Sequence, residues 1–522
     1  MKDDLPTEGG LSFLVSLFSL LVSRFPSLVA FVLGALSVLG YAPYYMFPLP
    51  VVTLAGLFYL WSQAGNPRAA ALSGFAFGLG LFLFGASWVY VSLHDFGAMP
   101  APLAAIATLL FCVILALFPA GAGYACARLH ASRAIRFGLL APAAWTLAEW
   151  MRGWVFTGFP WLATGYSQIP ESPLAGYAPL LGIYGVTLAT AASAGLIVVL
   201  GLRSSDKARG ILHPSAFILL ALWAGGWGLS QIAWTTPVGA PLNTSLLQGN
   251  VAQDQKWREE RVRPTLEIYR LLTESAPGKL IILPETALPL FLEQVPQDYL
   301  AALAASARAR DGDILIGVAE RTASGEYFNS VVSLGSAPQQ AYRKSHLVPF
   351  GEFIPLRPVL AWIVNVLAIP LQDFSRGAHD QRPLAVAGQR VAINICYEDA
   401  FGEEIIRQLP EATVLANVSN VAWFGRSLAP RQHLQIAQAR AIETGRSMLR
   451  ATNTGVTAVI GPRGEVLAAA PEFEIATVTY AVQGYGRATP YVRWGNYAML
   501  ALCAVLSAAG GWLGRRAARS AS

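Results

Sequence analysis

The chain is 522 residues long, 54% hydrophobic and only 13% charged, with a net charge of +6. Soluble globular proteins carry roughly 25% charged residues, so this composition excludes an ordinary soluble enzyme and points to a polytopic membrane protein. A first apolar run, Leu11 to Phe25, closes on Arg24 and Pro26. It reads as an extension of the first span or as a surface segment, because no Ala-x-Ala boundary marks it as a cleaved leader. Candidate spans follow at about 27–42, 48–64, 70–93, 101–126, 137–152, 175–201, 213–234 and 496–514. Several approach the roughly 20 residues that cross a bilayer, and together they predict about eight spans.

Basic residues orient these spans. Arg68 follows the second, Arg128, Arg133 and Arg136 the fourth, Arg203, Lys207 and Arg209 the sixth, and Arg515, Arg516 and Arg519 the last. The connection from His94 to Pro100 carries no Lys or Arg. The positive-inside rule then puts both termini in the cytoplasm. By parity the long polar segment lies outside the cytoplasmic membrane. The predicted division is a membrane domain over 1–235, an extracytoplasmic domain over 236–488, and a final span with a basic tail over 489–522. Residues 236–488 hold 23 Lys+Arg against 24 Asp+Glu, while the remainder carries a net +7. The basic surplus thus belongs to the membrane loops. A nucleic-acid domain would concentrate that charge on its own surface, so no nucleic-acid partner is expected.

Within the polar segment, β-type runs at 244–248, 280–283, 314–318, 330–334, 391–395, 413–416, 457–460 and 476–480 alternate with helical stretches at about 255–275, 296–310, 402–409 and 431–446. Strand-then-helix order over this length predicts a layered α/β domain. In Leu280-Ile-Ile-Leu-Pro284-Glu285, a buried strand stops at proline and presents a carboxylate. A partly buried glutamate there has a raised pKa and can act as a general base; a structural pairing with arginine is the alternative. Next comes Tyr342-Arg343-Lys344-Ser345-His346, whose basic run also fits a solvated strand. The third motif is Val391-Ala-Ile-Asn-Ile-Cys396-Tyr397-Glu398-Asp399. Cys112, Cys126 and Cys503 all fall in apolar segments, which leaves Cys396 without a disulfide partner. An inert buried thiol is the bland reading. Taken together, the three motifs supply a base, a cation and a nucleophile: Glu285 takes the thiol proton, Cys396 attacks an acyl carbonyl, and Lys344 stabilises thiolate and oxyanion. The backbone N–H of Tyr397 is a second candidate oxyanion donor.

These motifs resemble the Glu-Lys-Cys triad of the nitrilase superfamily, which implies an αββα sandwich. Lys344-Ser-His-Leu-Val-Pro-Phe-Gly-Glu352-Phe, Cys396-Tyr-Glu398, Ser419-Asn-Val-Ala-Trp423-Phe-Gly and Arg152-Gly-Trp-Val-Phe-Thr-Gly-Phe-Pro-Trp161 narrow the match. With the predicted spans, they resemble the apolipoprotein N-acyltransferase family over nearly the whole chain. The resemblance implies transfer of a fatty acyl group from a phospholipid, commonly phosphatidylethanolamine, through a Cys396 thioester. The acceptor would be the α-amino group of the diacylglyceryl-cysteine that begins a bacterial lipoprotein. It also implies residence in the bacterial inner membrane with the catalytic domain on the periplasmic side.

Supporting residues carried by the resemblance are Glu352 and Glu398, with Trp257 and Trp423 lining or gating the site. Glu352 positions Lys344 or caps a turn. Glu398 orients Glu285 or the acceptor amine, or binds a core arginine. Asn329, in Tyr327-Phe-Asn329-Ser, is a polar candidate near the site or a structural strand residue. His346 and His433 lack metal-ligand spacing with any other His or Cys, so no metal is expected, and no cofactor is called for. The run Pro358-Val-Leu-Ala-Trp-Ile-Val-Asn-Val-Leu-Ala-Ile-Pro370 is too short to span a bilayer. It reads as a membrane-dipping arm or as a core helix. A membrane-anchored amidase using the same triad on a small amide, and a noncatalytic lipoprotein-binding protein, are the two competing functions.

Overall fold

Proline opens most of the apolar helices, at positions where the first turn's N–H groups have no intrahelical acceptor and a missing donor costs little. They are α1 (Pro26–Ser37), α2 (Pro48–Gln63), α3 (Pro67–Gly85), α4 (Ala101–Arg128), α5 (Ala141–Arg152), α6 (Ala178–Gly201), α7 (Pro214–Ser230) and α11 (Tyr497–Ala521). The structure, a computed structural model, describes residues 24–129, 131–202, 214–354 and 373–521. The expectations for residues 11–23 and for the run 358–370 lie outside them.

Each of the eight predicted stretches holds a helix, but the helices are not equivalent. Among the described residues four segments, Pro67–Gly85, Ala101–Arg128, Pro173–Gly201 and Tyr497–Arg516, are long and apolar enough to cross a membrane; Pro26–Gly40 and Pro214–Ser230 are apolar but shorter. The stretch expected at 70–93 ends its helix at Gly85. Helix α5, 12 residues long, departs furthest from a simple span because it carries buried Glu149 and Arg152. Their charges are met internally: Glu149 accepts from the Thr164 N–H and hydroxyl and the Thr187 hydroxyl. Arg152 donates to the carbonyl oxygens of Phe159 and Trp161. Helices α1 and α3 approach so closely that a Cβ on Gly80 would collide with the Phe31 carbonyl oxygen, the small-residue packing that apolar helices use.

The polar half contains two sheets. One runs β13 (Ala476–Gly486), β1 (Thr236–Gln248), β2 (Leu280–Ile282), β4 (Asp313–Arg321), β5 (Tyr327–Gly335), β6 (Ala341–Arg343), with β3 (Leu288–Phe291) also on β4. The other runs β12 (Val466–Ala469), β11 (Ala458–Ile460), β10 (Met448–Thr452), β9 (Val414–Ser419), β8 (Gln389–Ile395), β7 (Leu384–Val386). Strands β1, β2 and β4 are mutually parallel, as are β8, β9 and β10. Leu246, Ile282, Leu315 and Val331 of the first sheet meet Ile393, Ile395, Val418 and Leu449 of the second in one core. On the outer face of the first sheet, Ile281 and Ile314 pack on Leu266 and Tyr269 of α8 (Glu259–Ser275) and Leu303 of α9 (Gln297–Arg308). Leu415 and Met448 pack on Leu434 and Ala437 of α10 (Ala429–Thr444). Helix on sheet on sheet on helix is the expected αββα sandwich.

Apart from exposed Arg431, helix α10 is buried along its length, because its second face docks on the membrane helices and their loops. Gln432 Oε1 accepts from Trp161 Nε1 (2.7 Å) and Trp88 Nε1 (3.2 Å), and Gln435 Oε1 accepts from the Ala42 N–H (2.9 Å). Glu443 Oε1 accepts from the Ile183 N–H at 2.7 Å and from Arg440 at 2.9 Å. The two halves therefore share a polar seam and a continuous apolar cluster.

Candidate active site

Parallel strands leave their functional loops at their carboxyl ends. Glu285 follows β2, Cys396 follows β8 and Asn420 follows β9, so all three emerge on the same edge of the sandwich. Gly317 on β4 lies beneath the first of these turns, where a Cβ would collide with the Pro284 carbonyl oxygen. Thr286 continues the turn with φ 45°.

Glu285 is 6% exposed. Its Oε1 accepts from Asn329 Nδ2 (2.7 Å) and lies 3.5 Å from Lys344 Nζ, while Oε2 accepts from the Asn420 N–H (2.7 Å). Lys344, 1% exposed, donates to Glu352 at 2.9 Å. Asn329 Nδ2 also reaches Glu352 Oε1 (3.0 Å), and Glu352 Oε2 accepts from the Val348 N–H (2.9 Å). One ammonium thus sits between two carboxylates bridged by one amide. Glu352 both holds Lys344 and closes the turn after it, so its two expected roles coincide.

The electrostatics correct one expectation. Burial alone would raise the Glu285 pKa, as the sequence suggests, but Lys344, Asn329, the Asn420 N–H and Lys256 outweigh it, and the carboxyl lies below its ordinary value. Burial lowers the proton affinity of Lys344, yet Glu352, Glu285 and Cys396 raise it well above normal, so the ammonium stays charged. Burial pushes the Cys396 thiol up to about 12, Glu285 adds to the rise, and Lys344 opposes it. The resting pair is a carboxylate facing a neutral thiol, the arrangement a base needs before it takes a proton.

Cys396 has φ 53°, a left-handed conformation that side chains other than glycine rarely adopt. Its carbonyl oxygen accepts from Asn417 Nδ2 (3.1 Å) and lies 3.2 Å from His433 Nε2. Asp399 joins His433 Nε2 (2.7 Å) to Arg450 Nη1 (3.1 Å), and Arg450 reaches Asn417 Oδ1 (2.7 Å). This buried network beneath Cys396 has no signature in the sequence, where His433 shows only that it lacks metal-ligand spacing.

Glu398 makes no described bond to Glu285. Its carboxylate accepts from the N–H groups of Ser345, His346 and Ile395 and from the Tyr342 and Ser345 hydroxyls. It latches the end of β8 to the Lys344 loop and contacts no arginine among the described residues. Burial raises its pKa, opposed by those N–H groups and Lys344. The Tyr397 ring stacks near Phe159 and Trp161, and its hydroxyl donates to the Gly158 carbonyl (2.9 Å), so the residue after Cys396 touches the membrane half directly. Trp423 lies edge-on to Phe96 at 6.5 Å. Trp257 sits half-buried in the turn before α8 rather than in a helix beginning at 255. Neither tryptophan contacts Glu285, Lys344 or Cys396 through a described bond. Lys256, just before Trp257, was also missed: its Nζ donates to Thr286 Oγ1 (2.6 Å) and the Glu285 carbonyl oxygen (3.3 Å).

Comparison with known proteins identifies relatives of both halves. The apolipoprotein N-acyltransferase N-terminal domain model matches residues 33–196, and the carbon-nitrogen hydrolase model matches residues 244–491. The apolipoprotein N-acyltransferase of Nitrosomonas europaea is 54% identical over 488 residues, covering 93% of this chain and 97% of that protein. Its counterpart in Chromobacterium violaceum is 46% identical over 480 residues, covering 92% of each. Among solved structures, an amidase from Nesterenkonia sp. aligns at 18% identity with a TM-score of 0.37, over 51% of this chain and 96% of that one.

Proposed function

The chain belongs to the apolipoprotein N-acyltransferase family, and from that membership we propose the reaction it runs and the residues that run it. It is a membrane acyltransferase acting on lipoproteins. The acyl donor is a phospholipid, with phosphatidylethanolamine the expected headgroup, and the acceptor is the α-amine of an N-terminal diacylglyceryl-cysteine.

Glu285 removes the proton from Cys396 Sγ, and the thiolate attacks the donor's ester carbonyl. Lys344 and the Tyr397 N–H stabilise the oxyanion. The intermediate collapses to a thioester, and the leaving lysophospholipid oxygen takes the proton from Glu285. The acceptor amine, having lost its extra proton, then attacks the thioester. An amide forms, the sulfur leaves, and the proton released by the nitrogen returns to it. Glu352 and Asn329 hold Lys344 and Glu285 in register, and Glu398 locks the nucleophile loop to the lysine loop.

The observation that carries this reading is the contact between the nucleophile loop and the membrane half: Tyr397 packs on Phe159 and Trp161 and bonds to Gly158. A soluble amidase has no use for that wall, whereas an acyl chain arriving from the bilayer needs an apolar path, each buried CH₂ being worth about 0.8 kcal/mol. Eight membrane crossings, cytoplasmic termini and a periplasmic catalytic domain over 236–488 in a bacterial inner membrane complete the proposal. The arginine clusters after alternate helices support it, and Trp257 and Trp423 are assigned to the rim of the site.

The test supplies defined phosphatidylethanolamine and a synthetic diacylglyceryl-cysteinyl peptide to the purified full-length protein. Peptide gaining one acyl mass that hydroxylamine does not remove, with stoichiometric lysophospholipid, is the expected result. Free fatty acid with unmodified peptide would replace transfer by hydrolysis.

A further inference from the structure

Lys256 is a buried amine that the reaction as described does not use. It lies in the turn between β1 and α8 and is 1% exposed. Lysine is almost never fully buried unless paired, yet Lys256 has no ion-pair partner among the described residues. Its Nζ donates instead to two neutral oxygens, Thr286 Oγ1 at 2.6 Å and the Glu285 carbonyl at 3.3 Å. Both belong to the turn that aims the Glu285 carboxylate, and Thr286 holds a left-handed φ of 45°, an unfavourable conformation for a β-branched residue. The lysine therefore clips a strained turn at the residue that needs the most accurate placement.

Charge gives it a second role. Among the described residues Lys344 is the single cation between Glu285 and Glu352, so those three groups carry one net negative charge. A protonated Lys256 neutralises the cluster. We propose that Lys256 is a positioning residue for Glu285, fixing the turn and supplying the positive charge that keeps the carboxylate ionised and ready to receive the thiol proton. The inference rests on reading Glu285 as the base.

The groups that set this balance are few. Burial lowers the Lys256 pKa to about 7, and Glu285 is the charged group that opposes the fall. Glu285 in turn feels burial, Lys344, the Asn329 amide, the Asn420 N–H and Lys256, the last lowering its pKa. On the acid side of neutrality Lys256 is protonated, so its effect on Glu285 is fully present where Glu285 titrates. Removing the charge raises the Glu285 pKa and moves the acid limb of acylation upward.

The experiment follows single-turnover acylation of Cys396 by phospholipid, read by intact mass from about pH 3 to 8 so that the window includes the carboxylate range, in the full-length protein. Lys256→Met and Lys256→Gln both remove the charge, and Gln keeps a donor for Thr286 should Met not fold. Both are expected to shift the acid limb upward by about one pH unit, slowing acylation roughly tenfold at pH values below the new limb. Lys256→Arg keeps the charge and should leave the limb in place. A loss of the same factor at every pH, or an Arg profile coinciding with the Met and Gln profiles, would reduce Lys256 to a structural residue and overturn the inference. Glu285→Gln acylating at the wild-type rate would overturn the underlying reading of Glu285, and this inference with it.

Discussion

Replacing Lys344 by methionine removes the one cation that the described residues place between Glu285 and Glu352 while keeping much of the side-chain volume. At separations of 3.5 and 2.9 Å and an effective dielectric near 20, the two attractions are worth about 5 and 6 kcal/mol gross. Desolvation of the ammonium offsets most of that. The net cost of stripping one partner from a buried ionic group is about 3–5 kcal/mol, because the remaining charge is left uncompensated. For a domain of roughly 250 residues each kcal/mol moves the melting temperature by about 2–4 °C, so Lys344→Met should melt roughly 6–20 °C lower. Intrinsic tryptophan fluorescence of the detergent-solubilised protein measures this. Adding Glu352→Gln removes one of the stranded carboxylates and should recover much of the lost stability while leaving acylation absent. Melting of Lys344→Met within about 2 °C of wild type, or no recovery in the double variant, would refute the charge balance drawn from these distances.

Three further outcomes follow from the same geometry. Glu285→Gln removes the negative charge that raises the Cys396 pKa, so the pH midpoint for alkylation by iodoacetamide should lie below that of wild type. Enzymatic acylation in that variant should fall by about 10²–10⁴-fold through loss of the base; a midpoint moving upward would contradict the assignment. Asp399→Asn deprives fully buried Arg450 of its carboxylate and should cost about 3–5 kcal/mol of stability, visible as a lower melting temperature. Tyr397→Phe loses only the bond to Gly158, so it should cost about 1 kcal/mol and leave the pH profile of acylation unmoved.

The eight strands read from β-branched and apolar runs all exist, because their side chains meet a core on one or both faces. Those overlooked have identifiable reasons. Strand β10, Met448-Leu-Arg-Ala-Thr452, lies inside its sheet yet contains Arg450, which reads as a surface residue until Asp399 and Asn417 supply its buried partners. Strands β2, β6, β7 and β11 have only three residues each, and β6 and β7 offered too little pattern to find. The Glu285, Lys344 and Cys396 motifs were legible because each places a reactive group at a strand end. Lys256 was not, since a lone lysine in a polar turn looks solvated, and only the fold carries Thr286 onto its amine. The same holds for Glu398, whose partners come from a loop more than fifty residues earlier. Span counting was least secure where polar residues interrupt helices: nothing in the run 137–152 reveals that Thr164 and Thr187 will satisfy Glu149.

The most direct test of the account is the intact mass of wild type and Cys396→Ser after incubation with a defined phospholipid and no acceptor. The account predicts that wild type gains one acyl chain, removable by hydroxylamine, and that the variant gains no such labile thioester. An active wild-type preparation that carries no adduct, or an equally labile adduct on the variant, would contradict a thioester on Cys396.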